Sequence, residues 1–490
     1  MKDFHRSIIC RTVITFLFYL CANTIYSQGK SSNYLIYNAQ IIDVVEGKIK
    51  KEKAVLIEGD KIKAVGDFTI LSKNIPASSQ INAGNKFLIP GLWDMHIHLE
   101  GQDLIEDNKA LLPLFFTYGI TTVRDCASDL GEQVLAWRDE INSGKLIGPT
   151  IFTAGLKLEG INSIWKGDLE ISNEEELNLM LDKLSKWKVD FVKITENTLK
   201  GPLFLKSVKA AHARGFLVSG HVPIELTIVE LVDAGFSSVE HSSYLLRLGC
   251  DEGNIVADLK SGKITNAEAN TLYQSTFDQQ RAIKGYEAMA KKGLAVTPTL
   301  VGGKKLAYYD ESNYLQDSMM TKYLTQLYTN SYQWRLDRLA KETPQQKADR
   351  KKRYELGASQ VPFMQRAGIM ILAGSDAAAL NSFVYPGESL ISELILYQEA
   401  GMKPADILRS ATINGARFLK QSDRMGTIDA GKMADLVMLD QNPLLDIRAV
   451  RNVIGVYTKA TYFNRTALDQ LLVNANNAKL TLDKQRAAAK

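Results

Sequence analysis

The residues best placed to do chemistry lie in one short run, Asp94-Met95-His96-Ile97-His98, which closes an apolar stretch that begins at Phe87. In an extended strand alternate side chains share a face, so His96 and His98 point the same way. Two imidazoles converging from one strand end suit zinc and similar ions. A bare His-x-His also fits two histidines that merely share a strand face. Scarcity tips the reading towards metal: the sequence holds six histidines, and His221 and His241 also fall at the ends of apolar, strand-like runs. Lys193 sits inside Asp190-Phe191-Val192-Lys193-Ile194. Burying it as a cation is costly, so the neutral amine is favoured there and can add carbon dioxide, giving an anion able to bridge two cations. The plainer reading is a strand-end lysine with its ammonium in solvent. Asp376, in Gly374-Ser375-Asp376, can act as a base and then an acid, and it also reads as a helix N-cap.

These residues need a frame that brings distant segments to one place. The middle of the chain alternates strand and helix, which argues a parallel sheet with helical crossovers. Strands are expected at 88–98, 121–124, 150–154, 191–194, 217–221, 238–241, 295–299 and 370–373, the number a (β/α)8 TIM barrel requires. On that frame the candidate residues all fall at C-terminal strand ends, where barrel active sites sit. Ser172 with Glu175 reads as a capping box before Leu177, Met180, Leu181, Leu184 and Trp187, and Thr343-Pro344 with Gln346 opens another helix. Gly215, Gly235 and Gly368 sit where helices should stop. Connections 242–294 and 300–368 exceed an ordinary crossover and predict added helices over one end of the barrel.

Both ends of the chain read as strand. Tyr34–Tyr37, Gln40–Val44 and Ala54–Ile57 are separated by turn signals at Glu46-Gly47 and Gly59-Asp60, and strand-rich segments return at Ala434–Leu439 and Val453–Tyr457. The expected architecture is therefore α/β: a barrel (88–424) inserted into a small β-sandwich built from 33–87 and 425–465, with 466–490 as a peripheral C-terminal tail.

Composition is ordinary for a globular protein, 45% hydrophobic and 23% charged. The net charge is +4, half of it from Lys2, Arg6 and Arg11 against Asp3 in the first 27 residues. The remainder gives no reason to expect nucleic acid or an anionic membrane as partner. That basic start precedes a short apolar run from Val13 to Cys21, which reads as an export signal cleaved after Ser27. Export to the periplasm or beyond, with no stable membrane span after cleavage, follows. Cleavage would leave Cys126 and Cys250, which the strand assignments put on opposite sides of the barrel as free thiols.

Together, Pro90–His98, Gly119–Asp125, Val192-Lys193-Ile194, Gly220-His221, Val239-Glu240-His241, Gly374-Ser375-Asp376 and Gly426–Leu436 resemble the amidohydrolase superfamily, nearest its Xaa-Pro dipeptidase (prolidase) and imidazolonepropionase-like branch. The resemblance implies two divalent metal ions, zinc the first choice. His96, His98 and Asp376 would hold one, His221 and His241 the other, and a carboxylated Lys193 would bridge them. It implies hydrolysis of a carbon–nitrogen bond by metal-activated water, with Asp376 moving the proton. A dipeptide or N-acyl amino acid is the expected substrate, and homo-oligomerisation is left open. Tyr244 and Arg247, which follow His241, are candidates to meet a substrate carboxylate. Glu240 and Asp125 are expected on the strand face opposite the ligands, Glu240 there for packing or a hydrogen bond, and His212 as an exposed helix-end residue.

Two other readings stand beside this one. Cyclic-amide hydrolysis or deamination would use the same frame, but deaminases of this superfamily resemble one another in a Glu three residues after the fifth-strand His. Here Ile224 holds that place, with Glu225 one later. A binding protein that has lost catalysis ranks last, because no candidate ligand is missing. One departure bears on substrate: many relatives carry Gly-Gly-His after the third strand, whereas this chain has Leu158-Glu159-Gly160-Ile161-Asn162.

Overall fold

The computed structural model describes residues 33–489, so the export signal, its cleavage site at Gln28 and His5 lie outside the described residues. The chain opens as β1 (Asn33–Asp43), β2 (Lys48–Glu58), β3 (Lys61–Gly66), β4 (Gln80–Asn82) and β5 (Phe87–Pro90). The barrel region follows with β6 (Leu92–Ile97), β7 (Ile120–Asp125), β8 (Thr150–Thr153), β9 (Leu158–Gly160), β10 (Leu169–Ile171), β11 (Val192–Ile194), β12 (Val218–Gly220), β13 (Phe236–Glu240), β14 (Ala295–Thr297) and β15 (Met370–Ile371). The chain returns through β16 (Leu436–Leu439), β17 (Val453–Thr458) and β18 (Thr461–Asn464).

The two ends form one mixed sheet in the order β18-β17-β16-β5-β1-β2-β3, with β4 also on β1. Register shifts on either side of Ala39 bend β1, and a bridge from Lys61 to Met433 brings the far edge back to the chain entering β16. Strand bulges of this kind increase local twist. The sheet thereby curls over its own apolar face, burying Ile36, Val55, Ile57, Leu436, Met438 and Tyr457 together.

The expected strand 88–98 is in fact two. β5 pairs with β1 and β16 in the curled sheet, whereas β6 pairs with β7 in the barrel. The break falls at Gly91, where a Cβ would come within 2.0 Å of Thr121 Oγ1, so only glycine lets the chain pass between the two sheets.

Parallel pairing links β6-β7-β8 and, separately, β11-β12-β13-β14-β15. Asp190 N donates to Thr153 O across one gap, and Met95 N donates to Ala373 O across the other, closing the ring of eight. β9 and β10 are an addition beside β11. The long connections carry the expected helices, among them Glu252–Lys260, Asn266–Ser275, Gln279–Lys291, Leu300–Ala307, Gln333–Leu339 and Pro344–Arg366. Thr343 and Gln346 form the capping box read from the sequence. The other cap lies one residue later than expected: Asn173, with extended backbone, accepts from Glu176 N, while Ser172 donates to the Glu176 carboxylate.

Residues 466–490, expected as a peripheral tail, fall mostly in helix Arg465–Ala488, which buries Leu468, Leu471 and Ala475. Near its end Arg486 pairs with buried Asp107, which also accepts from Thr325. Cys126 and Cys250 are free and buried. Among the described residues, no helix is long and apolar enough to cross a membrane.

Candidate metal centre

Each candidate ligand stands at or just past the end of a parallel strand, held by the ladder behind it. His96 lies in β6 and His98 directly follows it, Lys193 is the middle residue of β11, and His221 follows β12 directly. His241 follows β13 with φ +73°, and Asp376 lies beyond β15 with φ +62°. Those left-handed turns are uncommon for non-glycine residues. At His241 the turn breaks strand alternation, so Glu240 reaches His96 inside the barrel while His241 still faces His221. The sequence expectation that Glu240 faces away from the ligands is corrected on this ground.

The imidazoles meet in pairs. His96 Nε2 and His98 Nε2 are 3.2 Å apart, and so are His241 Nε2 and His221 Nε2. Asp376 Oδ1 lies 3.3 Å from Nε2 of both His96 and His98. The opposite ring nitrogens settle where the protons are. His98 Nδ1 donates to Ala127 O (2.7 Å), His96 Nδ1 to the Glu240 carboxylate (2.7 Å) and His221 Nδ1 to Glu196 (2.9 Å). Thr299 gives its own proton to Pro298 O, so His241 Nδ1 donates to Thr299 Oγ1 (2.6 Å). With Nδ1 protonated throughout, four Nε2 lone pairs converge, an arrangement that repels itself unless cations sit among them.

Electrostatics favour the neutral ring at His96 and His241. Burial pushes the His96 imidazole down to about 4 and His241 well below its usual value. His98 goes the other way, because the Asp376 carboxylate outweighs burial. Burial alone would raise Asp376, but His96, His98 and His241 around it hold its carboxyl far below the usual range. Glu196 is likewise pulled down to about 2, burial being overcome by His221 and Tyr244. Lys193 is 1% exposed, and its Nζ meets no hydrogen-bond partner among the described residues. An ammonium so placed lacks the pairing that buried charge needs, which fits a modified lysine.

His96, His98 and Asp376 bring their ligand atoms within 4.8 Å of one another, as do His96, Cys126 and Glu240. The second trio is not a comparable site. It uses the far side of the His96 ring, and the Arg124 guanidinium already occupies Glu240 through Nη2 contacts of 2.8 Å to both oxygens.

Above the cluster opens a cavity of about 1450 Å³, lined by His98, Lys193, His221, His241 and Asp376 at its floor. Of the two predicted substrate contacts, Tyr244 stays close: its hydroxyl donates to Glu196 (2.6 Å) and its ring stacks on His221 at 5.5 Å. Arg247 does not reach the cavity. It is buried, with its Nη atoms donating to the carbonyls of Pro223 and Leu226 and its Nε 2.9 Å from Glu252. Sequence reasoning missed Glu196, Arg124, Thr299 and Glu159. Buried Glu159 accepts from Thr195, Asn197, Thr198 and Leu199 and so clamps the loop after β11. The usable signal was a carboxylate in otherwise apolar strand sequence. Asp125 is also buried, accepting from Thr153 Oγ1 (2.6 Å) and Leu99 N, and His212 is exposed.

The sequence profile of the amidohydrolase family matches residues 87–466. Ochratoxinase from Aspergillus niger is 22% identical over 422 residues, covering 81% of this chain and 79% of that protein. A 5-methylthioadenosine/S-adenosylhomocysteine deaminase from Teredinibacter turnerae is 28% identical over 110 residues, 21% of this chain, so the chain spans 25% of that relative. Among solved structures, a Xaa-Pro dipeptidase with bound methionine in the active site matches 88% of this chain and 100% of its own, with a TM-score of 0.61 at 20% identity.

Proposed function

The chain belongs to the amidohydrolase family, and from that premise we propose that it hydrolyses the amide bond of a dipeptide or N-acyl amino acid at the strand-end cluster. The observation that carries this reading is the set of four Nδ1-tethered histidines whose Nε2 atoms converge in pairs beside Asp376 and the unpartnered Lys193. Residues His96, His98 and Asp376 would hold one divalent ion and His221 and His241 a second, with a carbamate on Lys193 between them. Such ions polarise a carbonyl and make water acidic enough to attack it near neutral pH.

The chain's own groups then have separate tasks. Glu240, Glu196, Ala127 O and Thr299 fix the tautomers, so no imidazole must turn during the reaction. Asp376 is ionised at rest and takes the proton released as water adds to the carbonyl carbon. When the carbon–nitrogen bond breaks, that proton goes to the departing nitrogen, leaving a carboxylic acid and an amine. The carbamate would form from the Lys193 amine and carbon dioxide, with one proton lost to solvent.

Assay of metal-loaded protein against a panel of dipeptides and N-acyl amino acids tests the reading. Hydrolysis that disappears with a chelator and returns with added metal supports it; inactivity across both classes would refute it. The basic start and short apolar run support action outside the cytoplasm. N-terminal sequencing of exported protein should begin near Gln28, and an intact Met1 would sink that part.

A further inference from the structure

The cavity floor is occupied by metal ligands, and Arg247 is spent on backbone carbonyls, so recognition of the rest of a substrate falls to the walls. One wall comes from the long connection between β14 and β15. There, on helix Gln333–Leu339, Arg335 lines the cavity. Its Nη2 donates to Asn381 Oδ1 at 2.7 Å, and Asn381 Nδ2 donates in turn to the backbone oxygen of Asp376 at 2.8 Å. Two hydrogen bonds therefore tie this guanidinium to a residue of the metal cluster. Its Nε is buried and meets no partner, and no carboxylate among the described residues forms an ion pair with it. The acidic groups nearby are engaged elsewhere: Glu100 accepts from Leu380 N, Asp129 from Gly101 N, and Asp168 pairs with Lys157.

A largely buried cation without an anion is costly, and its pKa is lowered by that burial although Asp376 and Glu100 oppose the shift. The planar fork of arginine matches a carboxylate or a phosphate. Of these, a carboxylate is the group that the dipeptide or N-acyl amino acid proposed above would present. Beside it stand two flat indole rings, with Arg338 over Trp334 at 5.5 Å and Lys157 over Trp165 at 5.8 Å. Arg335 lies 5.0 Å over the Trp334 ring, and Trp334 meets Trp165 edge-on at 5.8 Å. The cavity of about 1450 Å³ also exceeds the roughly 300–1,000 Å³ common for pockets that enclose drug-sized ligands.

We propose that Arg335 is a specificity residue that anchors a free carboxylate of the substrate, with a flat apolar group of that substrate lying against Trp334 and Trp165. This inference rests on the hydrolase reading for the word substrate, but it can be tested by binding alone. The probes are N-(2-naphthoyl)-L-phenylalanine and its carboxamide, alike in shape and different in charge, titrated into metal-loaded protein by calorimetry. The wild type should bind the carboxylate more tightly than the carboxamide. In Arg335→Gln that preference should fall by about 30-fold or more, the lower end of what truncating one partner of a buried charge pair costs. Arg335→Lys should keep part of it, since charge remains without the fork. Metal content, read in the same samples, should match the wild type. Equal weakening of both probes in Arg335→Gln, an undiminished preference, or a wild type that binds neither probe would overturn the assignment. An Arg335-dependent preference without hydrolysis of any amide would instead count against the hydrolase reading alone.

Discussion

At the barrel mouth every histidine is tied through Nδ1 to a second residue, whereas across the cavity Trp334 and Arg335 hang from a seven-residue helix with an indole nitrogen and a guanidinium Nε that meet no partner. The floor is built on parallel ladders, and its side chains have one place to go. The helix of the wall has no side-chain N-cap, and the segment before it is braced by the C-terminal helix, where Arg486 reaches Asp107 and Thr325. A rigid floor and a separately inserted wall let the reaction stay fixed while selectivity changes, the arrangement expected of barrel enzymes whose loops differ.

The comparison breaks most visibly if the floor is altered. Lys193→Ala should lose at least one metal ion and nearly all amide hydrolysis while far-UV circular dichroism stays that of the folded barrel. Asp376→Asn keeps an oxygen for the ion but cannot carry a proton, so kcat should fall by about 10² to 10⁴ with substrate affinity changed less. Steady-state kinetics with metal analysis separates the two, and near-normal turnover in both would mean the floor has been misread. A smaller effect belongs to the tethers. Glu196→Ala frees the His221 ring and should weaken metal binding by about 10- to 100-fold, measured by competition with a chromogenic chelator.

The smallest effect concerns the clamp that keeps the floor's loop in place. Replacing the Glu159 carboxylate with an amide sets an N–H against the donors of residues 195–199, so Glu159→Gln should cost roughly 1–3 kcal/mol at pH 7. Burial opposes it, but the Gly160 N–H together with those donors holds the Glu159 carboxyl below its ordinary value of 4.5. A depressed folded-state pKa gives stability that is fully present above the unfolded value and is lost as pH falls through the folded one. The gap between wild type and variant should therefore narrow below about pH 4.5, as read by urea unfolding of the metal-free proteins. A gap that widened with acid would contradict the assignment.

Much of the floor was legible because barrel strands are short apolar runs that stop at a polar residue. That pattern alone placed His96, His98, Lys193, His221 and His241 at strand ends. Alternation failed where the backbone left the strand. The positive φ of His241 is invisible in sequence, and it is what lets Glu240 face the cluster too. The split at Gly91 depends on Thr121, thirty places away, and Arg247 looked available because nothing in its neighbours foretold the carbonyls that enclose it. The wall was the least legible part. Arg335 and Trp334 lie in polar helical sequence, and their meeting with Asn381 is set by tertiary packing.

The central claim, that the four tethered histidines, Asp376 and Lys193 form one site for two ions, is tested most directly by counting. Elemental analysis of protein expressed with ample zinc, stripped of loosely held ions and normalised to chain concentration, should return two equivalents per chain, falling to one or none in Lys193→Ala. One equivalent or less in the wild type, with activity unmoved by further metal, would contradict it.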